Sequence, residues 1–221
     1  MSVIVPAYNE EVTACKTVEN LLKSTYPNLE IIFVDDGSKD NTYQNVLDQF
    51  GNNPKVSVNT KPNGGKASAL NYGIQIATGD ILVCIDADTL LKADAISKLA
   101  PYFTDPKVAA VAGNVKVGNR VNLLTHWQSI EYITSQNFDR RAFDILNAIM
   151  VIPGAIGAFR RNSIIEVGGF DTDTLAEDCD LTMRLLRKGY VIHCCNEALA
   201  FTEAPETMNM LLRQRLRWSF G

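Results

Sequence analysis

The sequence lacks the patterns of disulfide-bonded and zinc-binding proteins. Its five cysteines are an odd number without a Cys-x-x-Cys pair, and neither of its two histidines has metal-ligand spacing to a cysteine. Free thiols in a reducing compartment therefore fit this chain better than a disulfide framework, and a structural zinc site is not expected.

The sequence also lacks long apolar runs and an excess of basic charge. No apolar stretch is long enough to span a bilayer, and the residues before the first apolar run do not have the pattern expected of a leader peptide. The formal net charge of −4 gives the chain no attraction to nucleic acid, so we expect no nucleic-acid partner. Because the last dozen residues have a helical pattern that stops without a cap, we expect a fragment of a longer protein.

Two common nucleotide-binding motifs are missing. A Walker A loop that ends at Lys66 would need glycine at position 60 and Ser or Thr at position 67, where Thr and Ala stand. No strand is followed by Gly-x-Gly-x-x-Gly, so the fingerprint of nicotinamide binding is absent.

What the chain does have, at 221 residues, is a regular alternation of apolar runs and amphipathic helices. Strands are predicted over 2–8, 29–36, 55–60 and 80–86, and helices over 10–24, 40–50, 64–77 and 92–103. Unalternating apolar strands indicate a sheet covered on both faces. The sequence predicts an α/β fold with a doubly wound, mostly parallel central sheet and helices on both faces.

The alternation of strands and helices becomes less regular after residue 107. Strands are predicted over 108–118, 149–160 and 191–204, and helices over 123–146, 177–190 and 207–220. No linker or repeat interrupts the chain, so we expect one domain over residues 1–221, with halves 1–107 and 108–221.

Acidic residues follow three of the predicted strands. Glu10 follows the first strand, Asp35 and Asp36 end the second, and Asp86 and Asp88 end the fourth. The carboxyl ends of parallel strands meet at one edge, where ligands bind. Taken alone, an Asp-x-Asp is more often an acidic turn. Together, these carboxylates favour a site for Mg²⁺ or Mn²⁺.

Lys66 is a candidate phosphate-binding residue. It follows Gly64 and Gly65 at a predicted helix N-terminus, where anions are favoured. The alternative is a solvated lysine beside a helix start.

A second acidic group opens the helix over 177–190. Thr174 and Glu177 match a capping box, which is a purely structural interpretation. Asp178 is a candidate general base, because an ionised carboxylate there can accept a proton from an attacking hydroxyl. The two interpretations are compatible.

The final helix carries a cluster of polar and aromatic residues. Gln214, Arg217 and Trp218 share one helix face, with Arg suited to phosphate and Trp to a sugar ring. The same segment also has the pattern of a basic amphipathic helix that lies on a membrane surface.

These motifs occur together in a known family. The segments VIVPAYNE, VDDGSKDNT, NGGKASALN, CIDADT, GAIGAFRR, GGFDTDTLAEDCDLTMRL and QRLRW resemble, in this order, the inverting family-2 glycosyltransferases of GT-A fold. The last resembles the Gln-x-x-Arg-Trp motif of processive membrane synthases of cellulose, hyaluronan, chitin oligosaccharide and poly-N-acetylglucosamine.

The resemblance implies a role for each candidate residue. A UDP-sugar donor is bound by Pro6, Ala7, Tyr8, Glu10, Asp35, Asp36, Lys66, Asp86 and Asp88. A divalent cation (Mg²⁺ or Mn²⁺) is bound by Asp88 and Asp86, with Asp88 the direct ligand and Asp86 directed mainly to the donor sugar. Asp178 is the catalytic base, and the acceptor and pyrophosphate are bound by Glu177, Gln214, Arg217 and Trp218.

The implied activity is transfer of a sugar, with N-acetylglucosamine the first choice, to a growing glycan with formation of a β-glycosidic bond. The expected place is the cytoplasmic face of the cell membrane, reached through flanking segments and the interfacial last helix. Two alternatives stay open: a soluble enzyme that adds one sugar to a lipid or glycan, and a non-catalytic module that binds nucleotide sugars.

Overall fold

A single eight-stranded sheet forms the centre of the computed structural model, which describes residues 1–135 and 140–220. The strands are β1 (Ser2–Ala7), β2 (Glu30–Asp35), β3 (Val56–Thr60), β4 (Ile81–Cys84), β5 (Leu90–Leu91), β6 (Val108–Val117), β7 (Gly157–Arg160) and β8 (Val191–Thr202). The helices are α1 (Ala14–Leu22), α2 (Thr42–Phe50), α3 (Lys66–Ile76), α4 (Ala95–Leu99), α5 (Leu123–Ile133), α6 (Arg140–Ile145), α7 (Arg161–Glu166), α8 (Glu177–Arg187) and α9 (Met208–Phe220).

The first four strands form a parallel sheet, as predicted. Their order is β3-β2-β1-β4, and β1 pairs in parallel with both β2 and β4. The side chains of Val3 and Val5 belong to one apolar layer and that of Ile4 to the other, because successive residues of a strand face opposite sides. Both faces of β1 are therefore buried, which explains its unalternating apolar sequence.

The second half extends this sheet with mixed orientation. β7 is antiparallel to both β4 and β6, β8 is parallel to β6, and β5 is antiparallel to β8. The prediction of an α/β fold with helices on both faces is confirmed, and the orientation of β7 is what the sequence did not indicate.

The helices cover the two faces in separate layers. One layer packs α1, α2 and α4 on the sheet through Val18, Val46 and Ile96. The opposite layer packs α3 and α8 through Leu70 and Leu181. Elements from both halves of the chain contribute to the second layer, which places the start of α8 beside the start of α3.

Some predicted elements differ from those observed. The helix predicted over 123–146 is described as α5 and α6, and residues 136–139 lie outside the described residues. The strand predicted over 149–160 is only β7, because Pro153 and Gly154 form a turn before it. The sequence did not predict α7 or β5. The helix predicted over 177–190 ends at Arg187, and Gly189 follows it with φ +84°, a conformation that suits glycine beyond a helix end.

A close approach of α3 to β1 gives a stability prediction. A Cβ at Gly73 would overlap Cγ2 of Ile4 in the buried centre of the sheet. We expect Gly73→Ala to lower the free energy of unfolding in urea by about 1–2 kcal/mol, since overpacking outweighs the gain in helix propensity. Gly118→Ala is the control, because the nearest atom to its Cβ is 3.5 Å away. Equal stability of the two variants would contradict the packing.

Candidate active site at the carboxyl edge of the sheet

Carboxylates from neighbouring strand ends converge on one edge of the sheet. Asp88 lies after β4 and accepts long hydrogen bonds from the hydroxyls of Thr89 (3.3 Å) and Thr202 (3.4 Å). Burial, together with the negative charges of Asp86 and Glu10, raises the pKa of Asp88 to about 6. Acidic side chains that follow β1 and β4 therefore lie close together, as predicted.

Lys66 joins two of the acidic groups. Its Nζ lies 2.5 Å from Oδ1 of Asp86 and 3.5 Å from Oε1 of Glu177, while 37% of its side chain stays exposed. Burial alone would lower the pKa of Lys66, but the charges of Asp86 and Glu177 outweigh it and hold the pKa above its usual value. The ammonium therefore stays charged and links the end of β4 to the start of α8.

Asp178 is the second residue of α8 and lies within this electrostatic network. Burial raises its pKa first, Glu177 adds to the rise, and Lys66 together with the hydrogen bond from the N–H of Cys179 (2.8 Å) partly offsets it. The pKa of Asp178 is thus raised, whereas the dipole at a helix N-terminus would by itself lower it. A carboxylate with a raised pKa is a stronger base when it is ionised, which suits proton abstraction.

The predicted capping box at this helix is wrong. α8 begins at Glu177 with Ala176 as its N-cap residue, and no side chain caps it. The hydroxyl of Thr174 instead accepts the N–H of Ala176 at 3.2 Å. The carboxylate of Glu177 forms an ion pair with Lys66. In a capping box it would instead have accepted a backbone N–H at the start of the helix.

The loop before β7 approaches the site so closely that it excludes a side chain. A Cβ at Gly154 would overlap Nζ of Lys66 and lie 3.3 Å from Oδ1 of Asp86. The hydroxyl of Thr182 accepts the N–H of Ile152 at 3.2 Å and donates to the carbonyl of Asp178 at 2.6 Å. These bonds fix the loop to α8. A small cavity of about 10 Å³ lies here, lined by Lys66, Cys84, Ile152, Pro153, Gly154 and Asp178 among others. Gly154 opens the segment GAIGAFRR of the resemblance, but the sequence did not indicate that its backbone lies against Lys66 and Asp86.

Asp36 positions the segment that leads into Lys66. Its buried carboxylate accepts Nζ of Lys61 at 2.7 Å and the N–H groups of Gly64 (3.1 Å) and Gly65 (2.7 Å). Asp35 is also buried. Sequence reasoning missed Lys61, whose partner comes from a distant part of the chain.

Asp35 makes local hydrogen bonds of its own. Its carboxylate accepts the hydroxyl of Thr60 at 2.8 Å and the N–H of Ser38 at 3.3 Å. These bonds tie the ends of β2 and β3 together, and the predicted contact of Asp35 and Asp36 with a uracil ring stays a prediction.

The first strand end has the predicted position. Pro6 and Ala7 close β1 in the core, and Tyr8 is exposed directly beyond them. Glu10 accepts the hydroxyl of Thr13 at 2.7 Å through its carboxylate. Tyr8 is thus the first side chain of this segment that a ligand at the edge would meet.

The predicted cluster on α9 lies apart from these contacts. Among the described residues, no hydrogen bond or ion pair joins Gln214, Arg217 or Trp218 to the carboxylates, and Oε1 of Gln214 is buried without a partner. Arg215 instead anchors the helix: it pairs with Glu131 of α5 at 2.6 Å and lies over the Trp218 ring at 4.6 Å. Sequence reasoning did not single out Arg215.

Asp86 and Asp88 offer the carboxylate oxygens that a divalent cation prefers, but they do not form a complete metal site by themselves. In residues 1–135 and 140–220 no three His, Cys, Asp or Glu side chains form a complete metal site. Mg²⁺ and Mn²⁺ typically take one or two protein carboxylates and complete their shell with water and phosphate. The pair therefore suits a cation that arrives with a diphosphate.

The geometry agrees with the family that the motifs indicate. The model of glycosyl transferase family 2 matches residues 2–168. The chain belongs to glycosyl transferase family 2. Poly-beta-1,6-N-acetyl-D-glucosamine synthases of Staphylococcus aureus and Staphylococcus epidermidis are 36% and 35% identical to it over 219 and 222 residues. These alignments cover 99% and 100% of this chain, which spans about half the length of each relative (53% and 54%).

Solved structures share the fold. A mannosyltransferase of Pyrobaculum calidifontis, solved with GDP-Man and Mn²⁺, superposes with a TM-score of 0.80 at 28% identity, covering 97% of this chain and 60% of that one. Residues 1–349 of Staphylococcus aureus TarS, solved with UDP-GlcNAc, give a TM-score of 0.68 at 20% identity, covering 95% and 60%. The predicted family and the GT-A fold are confirmed. No helix in the described part of the chain is long and apolar enough to cross a membrane.

The raised pKa of Asp88 predicts a pH-dependent stability. A carboxyl whose pKa is higher in the folded state favours folding when protonated, and this contribution is lost as the pH rises from about 4 through about 6. In chelator at pH 7, Asp88→Asn should therefore raise the free energy of unfolding by about 2 kcal/mol, and at pH 4 it should change little. Asp173→Asn, at an exposed carboxylate, is the matched control for urea unfolding at both pH values. Destabilisation by Asp88→Asn at pH 7 would contradict this account.

Proposed function

We propose that this chain is the catalytic domain of a membrane polysaccharide synthase that transfers N-acetylglucosamine from a UDP-sugar to a growing glycan. The observation that carries the proposal is the link Asp86–Lys66–Glu177, which joins the donor-side carboxylates to the helix that bears Asp178. The staphylococcal relatives are named as N-acetylglucosamine polymer synthases, which supports the choice of sugar. The UDP-GlcNAc in the TarS structure supports the choice of nucleotide.

The reaction is a single displacement. Asp178 takes the proton from an acceptor hydroxyl, whose oxygen bonds to the anomeric carbon as the bond from that carbon to UDP breaks. Attack from the face opposite UDP turns an α-linked donor into a β-glycoside. The raised pKa of Asp178 assists the proton transfer, and no covalent enzyme intermediate is needed.

The donor lies along the ends of β1, β2 and β4. Its nucleoside contacts the segment from Pro6 to Glu10 with Asp35 and Asp36, and Lys66 turns toward its phosphates. Asp88 would hold the divalent cation, with Asp86 turned mainly to the donor sugar. When bound, the cation neutralises charge on the leaving diphosphate. The Mn²⁺ in the similar mannosyltransferase structure supports a divalent ion.

The acceptor lies on the side of α8 and α9. In this proposal residues 1–107 bind the nucleotide and residues 108–221 bind the acceptor, with Glu177, Gln214, Arg217 and Trp218 holding the acceptor end and the pyrophosphate. The buried, unpartnered Oε1 of Gln214 supports a ligand contact there. The domain works at the cytoplasmic face of the membrane.

Substitution of the base tests the proposal. In membranes that contain the full-length protein, UDP-N-acetylglucosamine with Mg²⁺ or Mn²⁺ should be consumed, and Asp178→Asn should lower turnover by about 10²–10⁴-fold with UDP affinity nearly unchanged. Asp180→Asn is the control on the same helix, because Asp180 pairs with Arg184 at 2.6 Å and should affect turnover little.

Analysis of the product, together with assays of separate UDP-sugars, distinguishes the alternative functions. Chains of many sugars support a synthase, and a single added sugar supports a non-processive transferase. If no UDP-sugar is consumed, or if Asp178→Asn matches the wild type, the proposal is wrong.

A further inference from the structure

A turn over residues 167–170 follows α7 and is bound by side chains of two helices. Gly168 and Gly169 lie in this turn with φ of +90° and +78°, the left-handed region that favours glycine. Gly168 opens the segment GGFDTDTLAEDCDLTMRL, and Asn71 of α3 closes the segment NGGKASALN. Neither Asn71 nor the turn takes part in the proposed displacement, yet the fold brings the two segments together.

Asn71 binds both backbone groups of Phe170. Its Nδ2 donates to the carbonyl of Phe170 at 2.8 Å, and its Oδ1 accepts the N–H of Phe170 at 2.8 Å. The two bonds engage both ends of the side-chain amide and fix its orientation. A Cβ at Gly169 would lie 2.6 Å from Oδ1 of Asn71, so the turn approaches α3 this closely only because glycine stands there.

Arg184 of α8 binds the same turn. Its guanidinium donates to the carbonyl of Gly169 at 2.7 Å and also to the carbonyl of Val167. Its Nε donates to the carboxylate of Asp180 at 2.8 Å, which orients the guanidinium. Because Asn71 belongs to α3 and Arg184 to α8, the turn is held between the two helices and joins them.

The turn joins the helices close to the residues at their starts. Asn71 follows Lys66 along α3, and Arg184 follows Asp178 along α8. Since an α-helix has about 3.6 residues per turn, each contact lies within about two helical turns of the site. The turn therefore controls how the starts of α3 and α8 face each other.

The start of α8 has few contacts of its own. Among the described residues no side chain caps this helix, and the ion pair of Glu177 with Lys66 is long, at 3.5 Å. Thr182, further along, accepts the N–H of Ile152 at 3.2 Å. Contacts beyond the first turn of α8 therefore decide where its first residues lie, and the bonds to the turn 167–170 are among them.

The ring of Phe170 connects the turn to the site. It is buried and packs edge-on against Phe159 of β7, with 6.1 Å between the ring centroids. The same ring lines the small cavity together with Lys66 and Asp178. A shift of the Phe170 backbone would therefore move a wall of this cavity as well as α8.

We propose that Asn71 is a positioning residue for Asp178: by holding Phe170, it fixes α8 against α3 and keeps the proposed base beside Lys66. The inference rests on the proposed function, which assigns the proton transfer to Asp178. The alternative is that Asn71 serves stability alone. The two differ in their effect on turnover, because a base misplaced by about 1 Å loses about 10²-fold in rate although the substrate still binds.

Kinetics of Asn71 variants test the inference. In membranes that contain the full-length protein, Asn71→Ala should lower kcat with UDP-N-acetylglucosamine by about 10- to 100-fold, while KM for the donor changes by less than about threefold. Asn71→Asp keeps the acceptor for the N–H of Phe170 and loses the donor, so it should give an intermediate loss of kcat. This second variant keeps the test open if Asn71→Ala folds poorly.

Asn20→Ala is the matched control. Asn20 of α1 binds both backbone groups of Leu91 in the same way, at 2.7 and 3.1 Å, and α1 packs on the opposite face of the sheet from α3 and α8. Its loss should lower the midpoint of urea unfolding to a similar extent as Asn71→Ala. It should leave kcat within about threefold of the wild type, because the base stays in place.

Hydrogen exchange gives a measurement that does not depend on activity. In the full-length protein, Asn71→Ala should speed the exchange of the backbone amides of residues 180–184 by about tenfold or more, because α8 is then held less firmly. Asn20→Ala should leave the exchange of these amides unchanged. The comparison separates a local effect on α8 from a general loss of stability.

Either of two results would overturn the inference: a kcat of Asn71→Ala equal to that of Asn20→Ala, or unchanged exchange over residues 180–184. If Asp178→Asn matches the wild type, the proposed function fails. If Asp178→Asn loses turnover while Asn71→Ala retains it, only the positioning role fails. If no UDP-sugar is consumed, hydrogen exchange still decides whether Asn71 holds α8 in place.

Discussion

Mutual repulsion of carboxylates at one edge of the sheet is the constraint on which the site depends. β1, β4 and α8 bring Glu10, Asp86, Asp88, Glu177 and Asp178 into one electrostatic neighbourhood, and the ammonium of Lys66 offsets part of their charge. Burial is the main cause that raises the pKa of Asp88, and the negative charges of Asp86 and Glu10 add to the rise. Such an edge is stabilised by additional positive charge, which a cation bound with a diphosphate would supply in the proposed function.

The remaining structure serves to place Lys66 between the two acidic segments. Asp36 fixes the glycines that precede it, and the absence of a side chain at Gly154 lets the loop before β7 pass over its ammonium. Thr182 ties that loop to α8. The arrangement joins the end of β4 to the start of α8 through a single charged side chain, so a ligand that competes for Lys66 would affect both segments.

Much of the fold and part of the site could be predicted from the sequence. The strands β1, β2 and β4 have unalternating apolar sequences, so their ends, and the aspartates there, follow from the pattern alone. The partner of Glu177, the role of Lys61 and the proximity of Gly154 could not be predicted, because each depends on segments that are distant in the chain. The burial of polar side chains on α5 could not be predicted either. Gln128 is buried there because the segment before α9 offers its side-chain amide the carbonyl of Pro205.

The central claim is that the acidic edge binds a cation and a diphosphate together. Titration calorimetry of the chain with UDP, in Mn²⁺ and again in chelator, tests it most directly. The account predicts that UDP binds at least about tenfold more tightly in Mn²⁺, since the ion neutralises the repulsion between the carboxylates and the phosphates. The same affinity with and without Mn²⁺ would contradict it.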